Sequence, residues 1–250
     1  MTTINELEVC ENKNYIVKQI HSDIANRFIK EFHYSHKVVS NSKLHLGIFS
    51  KDNIDILCGV LSFGYPMNPK RTPQKIVNNS TYLEMYELNR MAMDDKMPKC
   101  SESQAIGICI KWLKRYRPEI KWLLSFSDGK EGNVGIIYQA TNWDYLGYNI
   151  SDSFFDLDGT ILHNVQIWHK FKEGKPDVNT MDELYKAFNN VKKIKSRQHI
   201  YVFNLTDSEL DYARSKMPYP KKDSEPKIIQ ETIYKQDGVI LKHKKNINYI

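Results

Sequence analysis

Residues 121–148, KWLLSFSDGKEGNVGIIYQATNWDYLGY, hold the pattern that decides the fold. The apolar stretch KWLLSFSD predicts a strand that ends at Asp128 and Gly129. A loop with further glycines follows, and the segment GIIYQATNW then predicts a helix with Tyr138 in its first turns. YLGYNI and ILHNVQIWHKF predict the next strands. The stretch indicates a mixed α/β domain, and it raises the question of why this helix carries an early tyrosine.

The segments before this stretch predict a sheet preceded by a helix. Apolar residues at helical spacing predict a helix over residues 22–32, and residues 44–50 and 54–64 predict a hairpin around the turn KDN. Residues 82–93, YLEMYELNRMAM, alternate as in a central strand and predict a bulge near Glu87.

A second helix is predicted where Ser101 and Gln104 form a Ser-x-x-Gln capping box before the helical pattern AIGICIKWLKRY. Further along, residues 180–190 predict a short helix and residues 197–205 a strand. Residues 228–245 predict a tail around an Asp-Gly pair that is either hairpin-like or loosely attached. The sequence contains neither G-x-G-x-x-G nor G-x-x-x-x-G-K-[ST], so the order does not indicate a doubly wound nucleotide-binding fold.

A chain of 250 residues suits one large domain with an appendage. We expect an N-terminal extension at residues 1–20, the main domain at residues 21–205 and a basic C-terminal segment at residues 206–250. Because no apolar run is long enough to span a membrane and no signal pattern occurs, we expect a soluble, cytoplasmic protein. The four cysteines include no Cys-x-x-Cys pair, which favours reduced structural thiols over a metal site or disulfides.

Positive charge is concentrated near the C-terminus. Residues 186–250 contain fourteen Lys or Arg and seven Asp or Glu, a net charge of +7, whereas the whole chain has +6. The remaining 185 residues therefore carry −1. A near-neutral body with a basic C-terminal quarter indicates a polyanionic partner, and a solvated lysine-rich surface is the alternative.

The order of a bulged central strand, a capped helix, a further strand and a helix with an early tyrosine resembles the fold of the GNAT acyltransferases. The resemblance implies an α/β (α+β) fold in which helices flank a central mixed sheet, here with a basic C-terminal extension. In that family, backbone N–H groups at the start of the capped helix bind the pyrophosphate of coenzyme A.

The phosphate-binding loop of that family has a degenerate counterpart here, Gln104-x-x-Gly107-x-Cys109, which lacks the full set of glycines. The cofactor is therefore left open, with an acetyl-CoA-like donor as one possibility. The alternative is that this segment is an ordinary capped helix that binds no cofactor. The residues that the resemblance implies for cofactor binding are Ser101, Gln104, Gly107 and Asn133.

Four blocks in the same order are similar to the phage Mom family. They are residues 32–37, 86–103, 125–143 and 197–203, the last followed by PYPKK. Members of that family are GNAT-like enzymes that convert adenine in DNA to N6-carbamoylmethyladenine, which protects phage DNA from restriction. The resemblance implies a transferase that modifies DNA, with an antirestriction function in the cytoplasm of a host cell.

The resemblance also implies a catalytic set, namely His33, Tyr34, Arg90, Asp128 and Tyr138. In this set His33 would move a proton near neutral pH, and a helix-end histidine bound to the last carbonyls is the alternative. The spacing His33-x-x-His36, with His45 nearby, could also hold a metal. No Cys or Glu stands at ligand spacing beside these histidines, so we expect no metal site.

Arg90 lies in an apolar strand end and must find an anion. The resemblance implies that it holds a phosphate or the cofactor, and an ion pair with Glu84 or Glu87 is the alternative. Asp128 would accept a proton or a hydrogen bond from the adenine N6 amino group, unless it only forms an Asp-Gly turn. Tyr138 would act as the general acid for a departing thiolate, unless it packs on the sheet with its hydroxyl at the rim.

The partner implied by this chemistry is double-stranded DNA with an adenine flipped out of the helix. Basic residues of the C-terminal quarter would contact phosphates, with binding that weakens steeply in salt: Lys193, Lys195, Arg197, Lys221 and Lys222. Aromatic residues could stack on the flipped base, with packing in the core or at its rim as the alternative for each: Tyr65, Tyr82, Trp143 and Tyr145. No membrane partner is expected, and a homodimer is possible.

Two other functions stay open at this point. An acetyltransferase of a small amine or a protein would need a fuller coenzyme A loop, and it leaves the basic quarter unexplained. A non-catalytic DNA-binding protein could block host nucleases by occupancy. That function would survive the loss of Tyr138 and Asp128, whereas an enzyme would not.

Overall fold

The computed structural model describes residues 8–129, 132–164, 166–167, 188, 190–222, 229–236, 239–241 and 248–249. The chain divides into two compact units, which are described separately. The first is formed by the described residues within Met1–Phe126, Gly135–Gly147 and Ile200–Tyr219. The second is formed by those within Ser127–Val134, Tyr148–His199 and Pro220–Ile250.

The first unit is built on a sheet whose first six strands are neighbours in chain order. The first five are antiparallel: β1 Val9–Glu11, β2 Tyr15–Gln19, β3 Ser42–Ser50, β4 Leu57–Gly64 and β5 Met85–Met93. The hairpin predicted around KDN is confirmed as β3 and β4. The sixth strand, β6 (Trp122–Asp128), is parallel to β5.

The parallel pair β5–β6 is joined over only part of its length. Met85 to Glu87 pair with Trp122 to Leu124, and the pairing stops there although both strands continue. On its other side, β5 pairs with β4 through a bulge at Asn89, since Ser62 faces Arg90 and Phe63 faces Leu88. The bulge predicted near Glu87 is therefore confirmed two residues further along. The sheet opens beyond Glu87.

Two helices pack on this sheet. Helix α1 (Ser22–Phe32) buries Ala25, Phe28 and Ile29 against Val60 and Ala92 of the sheet. Helix α2 (Ser101–Tyr116) buries apolar residues on every turn, Trp112 and Leu113 among them. Burial of such large apolar side chains stabilises each by about 2–3 kcal/mol relative to exposure.

The helix expected around Tyr138 is much shorter than its sequence pattern indicated. Helix α3 covers only Ile136–Gln139, and a turn at Asn142 with a φ of 59° leads into strand β7 (Asp144–Leu157). Thr141 helps to end the helix, because its hydroxyl donates to the carbonyl of Ile137 at 2.8 Å. The apolar spacing after Tyr138 belongs to a turn and a strand.

The N-terminal boundary expected at residue 20 is wrong for the described part of that segment. Strands β1 and β2 belong to the central sheet, and Tyr15, Val17 and Gln19 are buried on one face of β2. The Nε1 of Trp112 also donates to the carbonyl of Glu8 at 2.8 Å. An alternation of five residues is too short to stand out from an irregular segment.

The boundary at residue 205 also needs correction, because the described residues up to Tyr219 belong to the first unit. The C-terminal part of strand β9 (Asn190–Asn204) leads into this stretch, and the N–H of Leu205 donates to the carbonyl of Lys121 at 2.8 Å. Tyr212 forms a bridge to Val77 and donates its hydroxyl to Asp144 at 2.7 Å.

The second unit contains parts of β7 and β9, and further strands: β8 Thr160–His163, β10 Ile229–Gln236, β11 Val239–Leu241 and β12 Asn248–Tyr249. β8 pairs with the end of β7, and β10 pairs with β9, β11 and β12. The hairpin predicted around the Asp-Gly pair is confirmed by β10 and β11. Apart from 188 and 190, the residues of the predicted helix over 180–190 lie outside the described part.

The α+β fold class is confirmed: a mixed, mainly antiparallel sheet carries helices, and its parallel central pair opens beyond Glu87. No helix among the described residues is long and apolar enough to cross a membrane.

Candidate active site

Tyr138 lies buried beside the point at which the sheet opens. Its hydroxyl accepts a hydrogen bond of 2.8 Å from Ser125, the residue of β6 that follows the last pair with β5. Because Ser125 is the donor, the hydrogen of the Tyr138 hydroxyl is available for a second partner. Its ring packs on Trp143 and Tyr201, with ring centroids 5.1 Å apart in both pairs. The alternative that its hydroxyl lies at the rim does not hold, since the residue is 7% exposed.

Burial controls the protonation of this phenol. Burial, assisted by Tyr34 and Glu87 and opposed by the Ser125 hydrogen bond, raises the pKa of Tyr138 to about 12. Tyr138 is therefore protonated at neutral pH. A desolvated phenol of this kind can donate a proton to a group that becomes basic during a reaction.

Glu87 is a site residue that sequence reasoning had considered only as an ion-pair partner. It is the last residue of β5 that pairs with β6, opposite Leu124. Burial raises the pKa of Glu87 to about 7, although a hydrogen bond with Asn89 and the charge of Arg90 both favour its ionised form. Near neutral pH this carboxyl group can hold or release a proton.

His33 ends α1 as its C-cap residue and is 7% exposed. Burial, assisted by the charges of Arg90 and His36, lowers the pKa of His33 to about 4. Its Nδ1 accepts the backbone N–H of Ser35 at 3.1 Å, so the proton of the neutral ring lies on Nε2. With this lowered pKa the ring of His33 is neutral near neutral pH, and its role in moving a proton stays a prediction. The ring is a neutral hydrogen-bond donor.

Tyr34 stacks on His33, with ring centroids 4.3 Å apart, and is 84% exposed. An electrostatic interaction with Tyr34 is one of the causes that raise the pKa of Tyr138. An aromatic ring exposed to this degree next to buried polar groups can serve as a stacking surface for a planar ligand.

Arg90 is held by backbone oxygens. Its Nε donates to the carbonyl of Lys37 at 3.1 Å, and its Nη1 donates to the carbonyl of Asn89 at 2.8 Å. Glu84 forms its ion pair with Lys121 instead. Within the described part of the chain no carboxylate lies within 4.0 Å of Arg90, so the ion-pair alternative does not hold. Two backbone carbonyls therefore fix the position of the guanidinium.

The start of α2 does not form the phosphate-binding loop of the GNAT family. Gly107 is the seventh residue of α2, where an amide is bonded within the helix and cannot bind an anion. The predicted capping box is also absent, because Cys100 is the N-cap residue, with a φ of 69° and no side-chain cap. Ser101 instead donates to the carbonyl of Pro98 at 2.6 Å, and Gln104 accepts from Asn14 at 2.7 Å. These residues do not fit the coenzyme A pyrophosphate.

The second unit holds the other predicted residues. Asp128 lies at the end of β6, with the Ser196 hydroxyl 3.5 Å from its carboxylate, and the exposed Asn133 accepts from Ser127 at 3.3 Å through its backbone carbonyl. In the basic strip, Lys193 pairs with Asp152 at 2.7 Å. The guanidinium of Arg197 lies 4.3 Å from the ring centroid of Tyr148.

Two further sequence-based ideas can be compared with the structure. Trp143 and Tyr145 are core residues, 0% and 4% exposed, so neither can stack on a base, whereas Tyr82 is 37% exposed. Among the residues that the structure describes, no group of three or more His, Cys, Asp or Glu side chains could hold a metal ion.

The structure thus brings together His33, Tyr34, Arg90 and Tyr138 in the first unit, and it adds Glu87 and Ser125. A signal for Glu87 existed in the sequence, because a carboxyl group in an apolar strand next to a predicted bulge must be buried or paired. Nothing in the sequence distinguishes Ser125, since the pairing of its hydroxyl with Tyr138 depends on how two separate elements pack.

Comparisons with known proteins show which family this chain belongs to. The family model described as the Mom protein family matches residues 14–221. The methylcarbamoylase Mom of Escherichia phage Mu is 38% identical over 154 residues, which is 62% of this chain. The match also covers 62% of that relative's own length.

Solved structures similar to this chain include acetyltransferases. The ribosomal-protein-S5-alanine acetyltransferase of Vibrio fischeri aligns with 80% of this chain and 98% of its own, at 10% identity and a TM-score of 0.44. A probable acetyltransferase of the GNAT family from Chromobacterium violaceum aligns with 81% of this chain and 89% of its own, at 6% identity and a TM-score of 0.44.

Proposed function

Because this chain belongs to the Mom protein family, we propose that it is a transferase that modifies DNA, attaching a carbamoylmethyl group to the N6 atom of adenine. The observation that carries the proposal is that Tyr138 and Glu87, both within the matched region, interact electrostatically and both have raised pKa values. One holds its proton at neutral pH, and the other can take up a proton there. Transfer to a weak nucleophile needs both an acid and a base.

The chemistry explains why two proton-handling groups are required. The lone pair of adenine N6 is delocalised into the ring, so the amino group must lose a proton as its new bond to carbon forms. In this proposal Glu87 accepts that proton. The bond between the CH₂ carbon of the donor and its leaving group breaks, and Tyr138 supplies a proton to the leaving group.

The other residues of the site would position the base. Tyr34 is exposed and stacked on His33, so it could stack on a flipped adenine. The neutral Nε2–H of His33 is a donor that suits a ring nitrogen or an oxygen of the substrate. Arg90, fixed by two carbonyls, would place its charge beside a phosphate or the donor.

The experiment that tests this function is a nucleoside analysis. The protein is expressed in a bacterium, plasmid DNA is digested to nucleosides, and mass spectrometry detects an adenosine that carries one carbamoylmethyl group. We expect this nucleoside with the wild type and its loss with Tyr138→Phe, which keeps the packed ring and removes the acid.

A matched control is Tyr116→Phe, because the hydroxyl of Tyr116 donates to the carbonyl of Val9 at 3.1 Å, in a different part of the first unit. This variant should keep the modification. Unmodified DNA from folded wild-type protein would contradict the proposal. Protection from restriction that survives Tyr138→Phe would favour the non-catalytic DNA-binding alternative, and an acetylated amine would favour the acetyltransferase.

A further inference from the structure

Two loops of the first unit contain basic residues and no acidic ones. They are residues 34–43, which follow α1 and include the first two residues of β3, and residues 65–83, which follow β4, and together we call them the basic rim. The rim contains five cationic side chains, all of them exposed: Lys37, Lys43, Lys70, Arg71 and Lys75. In the described part of the chain no carboxylate lies within 4.0 Å of any of these five. Their charge is therefore available to a polyanion.

The two loops are fastened to each other. The N–H of Tyr65 donates to the carbonyl of Asn41 at 3.2 Å, and the Asn41 side chain donates back to the carbonyl of Tyr65. Within the second loop, Asn68 accepts the N–H of Arg71 at 3.2 Å through its side chain and that of Thr72 at 2.9 Å through its carbonyl. The cations thus stand on a backbone that is already ordered, which lowers the entropy cost of binding.

The basic rim is continuous with the active site. The Nε of Arg90 is bonded to the carbonyl of Lys37, within the first loop. Tyr34, the first residue of that loop, stacks on His33. Met67 in the second loop is 85% exposed, and Tyr82 is 37% exposed. Exposed aromatic and apolar side chains among cations are typical of surfaces that bind nucleic acid, where they stack on bases or fill a groove.

The basic strip expected from the sequence differs in this respect. Lys193 is paired with Asp152, and Arg197 lies over the ring of Tyr148. Charges that are already engaged release fewer counterions on binding than free ones do. The structure therefore distinguishes the two basic regions, although the composition favoured the C-terminal one.

We propose that the basic rim holds the phosphate backbone of DNA on either side of the target adenine. This inference rests on the proposed function, because it assumes that the site acts on DNA. The rim cations contact phosphates and carry no sequence information, and the neighbouring Tyr34 faces the base that leaves the stack.

The test measures the salt dependence of binding to a short fluorescent DNA duplex by anisotropy. The variant Lys70→Gln, Arg71→Gln, Lys75→Gln removes three exposed charges of the rim. A comparison variant, Lys193→Gln, Arg197→Gln, removes the two charges of the predicted strip that are already engaged. Each phosphate contact contributes about −0.9 to the slope of log K against log salt, so the rim variant should reduce the magnitude of that negative slope by about 2.7. The strip variant should keep the wild-type slope.

The outcomes separate this inference from the proposed function. If the strip variant loses slope and the rim variant keeps it, while the wild type still produces the modified adenosine, the rim assignment is wrong and the function stands. If the wild type neither binds the duplex at low salt nor modifies DNA, the function fails, and the rim assignment fails with it.

Discussion

Burial acts on two neighbouring side chains, Tyr138 and Glu87, in a way that suits proton transfer. It raises the pKa of Tyr138 to about 12 and that of Glu87 to about 7. At neutral pH the Tyr138 phenol is therefore protonated, whereas the Glu87 carboxyl group is present in both its protonated and its ionised form. Active sites that need both an acid and a base at the same pH commonly contain two titratable groups whose different environments give them different pKa values.

The raised pKa of Glu87 predicts that its ionised carboxylate destabilises the fold and that replacing it with glutamine removes this effect. Because the folded pKa of about 7 lies above the ordinary value of 4.5, the ionised carboxylate is disfavoured in the fold. Stability is lost as the pH rises from 4.5 through 7. We expect Glu87→Gln to raise the free energy of unfolding at pH 8 by about 1–3 kcal/mol and to change it little at pH 4.5. We also expect this variant to produce no modified adenosine. Urea denaturation at both pH values measures the first effect.

Glu84 provides the matched control for this prediction. Its hydrogen bond to Lys121 lowers the pKa of Glu84, so the ionised form is favoured in the fold. Glu84→Gln should therefore reduce stability at pH 8, the opposite sign, and leave the modification in place. A Glu87→Gln protein with wild-type stability at both pH values would refute the assigned burial, and full modification would refute the role as base.

The site is formed by residues of separate elements at the point where β5 and β6 stop pairing. Pairing ends at Glu87 and Leu124, so Ser125 is free of the β5 ladder and its hydroxyl turns to Tyr138. The turn before α3 then positions the tyrosine. Gly135 has a φ of 73°, and a Cβ there would lie 2.4 Å from the ring of Tyr201. Only glycine fits this turn without displacement.

Two glycines therefore predict opposite effects of the same substitution. Gly135→Ala should destabilise the protein by more than about 2 kcal/mol, since it combines a left-handed backbone with a clash, and should abolish modification. Gly107 has open space around it on α2, so Gly107→Ala should stabilise the helix by up to about 1 kcal/mol and keep the modification. Thermal unfolding and the nucleoside assay check both. Loss of activity in Gly107→Ala would support the interpretation that Gly107 belongs to a cofactor-binding loop.

The elements that the sequence predicts well are those with an unambiguous period. The β3–β4 hairpin and the bulged β5 have long alternating patterns. The extent of α3 could not be predicted, because apolar residues after Tyr138 fit a helix as well as the turn and strand that they form. The capping box failed because Ser101 and Gln104 bind Pro98 and Asn14, partners that only packing brings near.

At the scale of the whole molecule, charge counts and charge placement give different answers. The composition points to residues 186–250 as the basic part, with fourteen Lys or Arg. Only the structure shows that residues 34–43 and 65–83, distant in sequence, join into one rim without acidic residues. The sequence also indicated Tyr138 and Arg90 as site residues, whereas the pKa of His33 depends on burial that no local pattern reveals.

The central claim is that Glu87 and Tyr138 work as one acid–base pair on adenine in DNA. Its most direct test is the amount of modified adenosine made by the wild type, Glu87→Gln, Tyr138→Phe and the double variant at equal protein levels. Residues that act as a unit are strongly non-additive. We expect each single variant to lose nearly all of the modified adenosine. We expect the double variant to make no less of it than the less active of the two single variants. Wild-type levels of modified adenosine in either single variant would contradict the account.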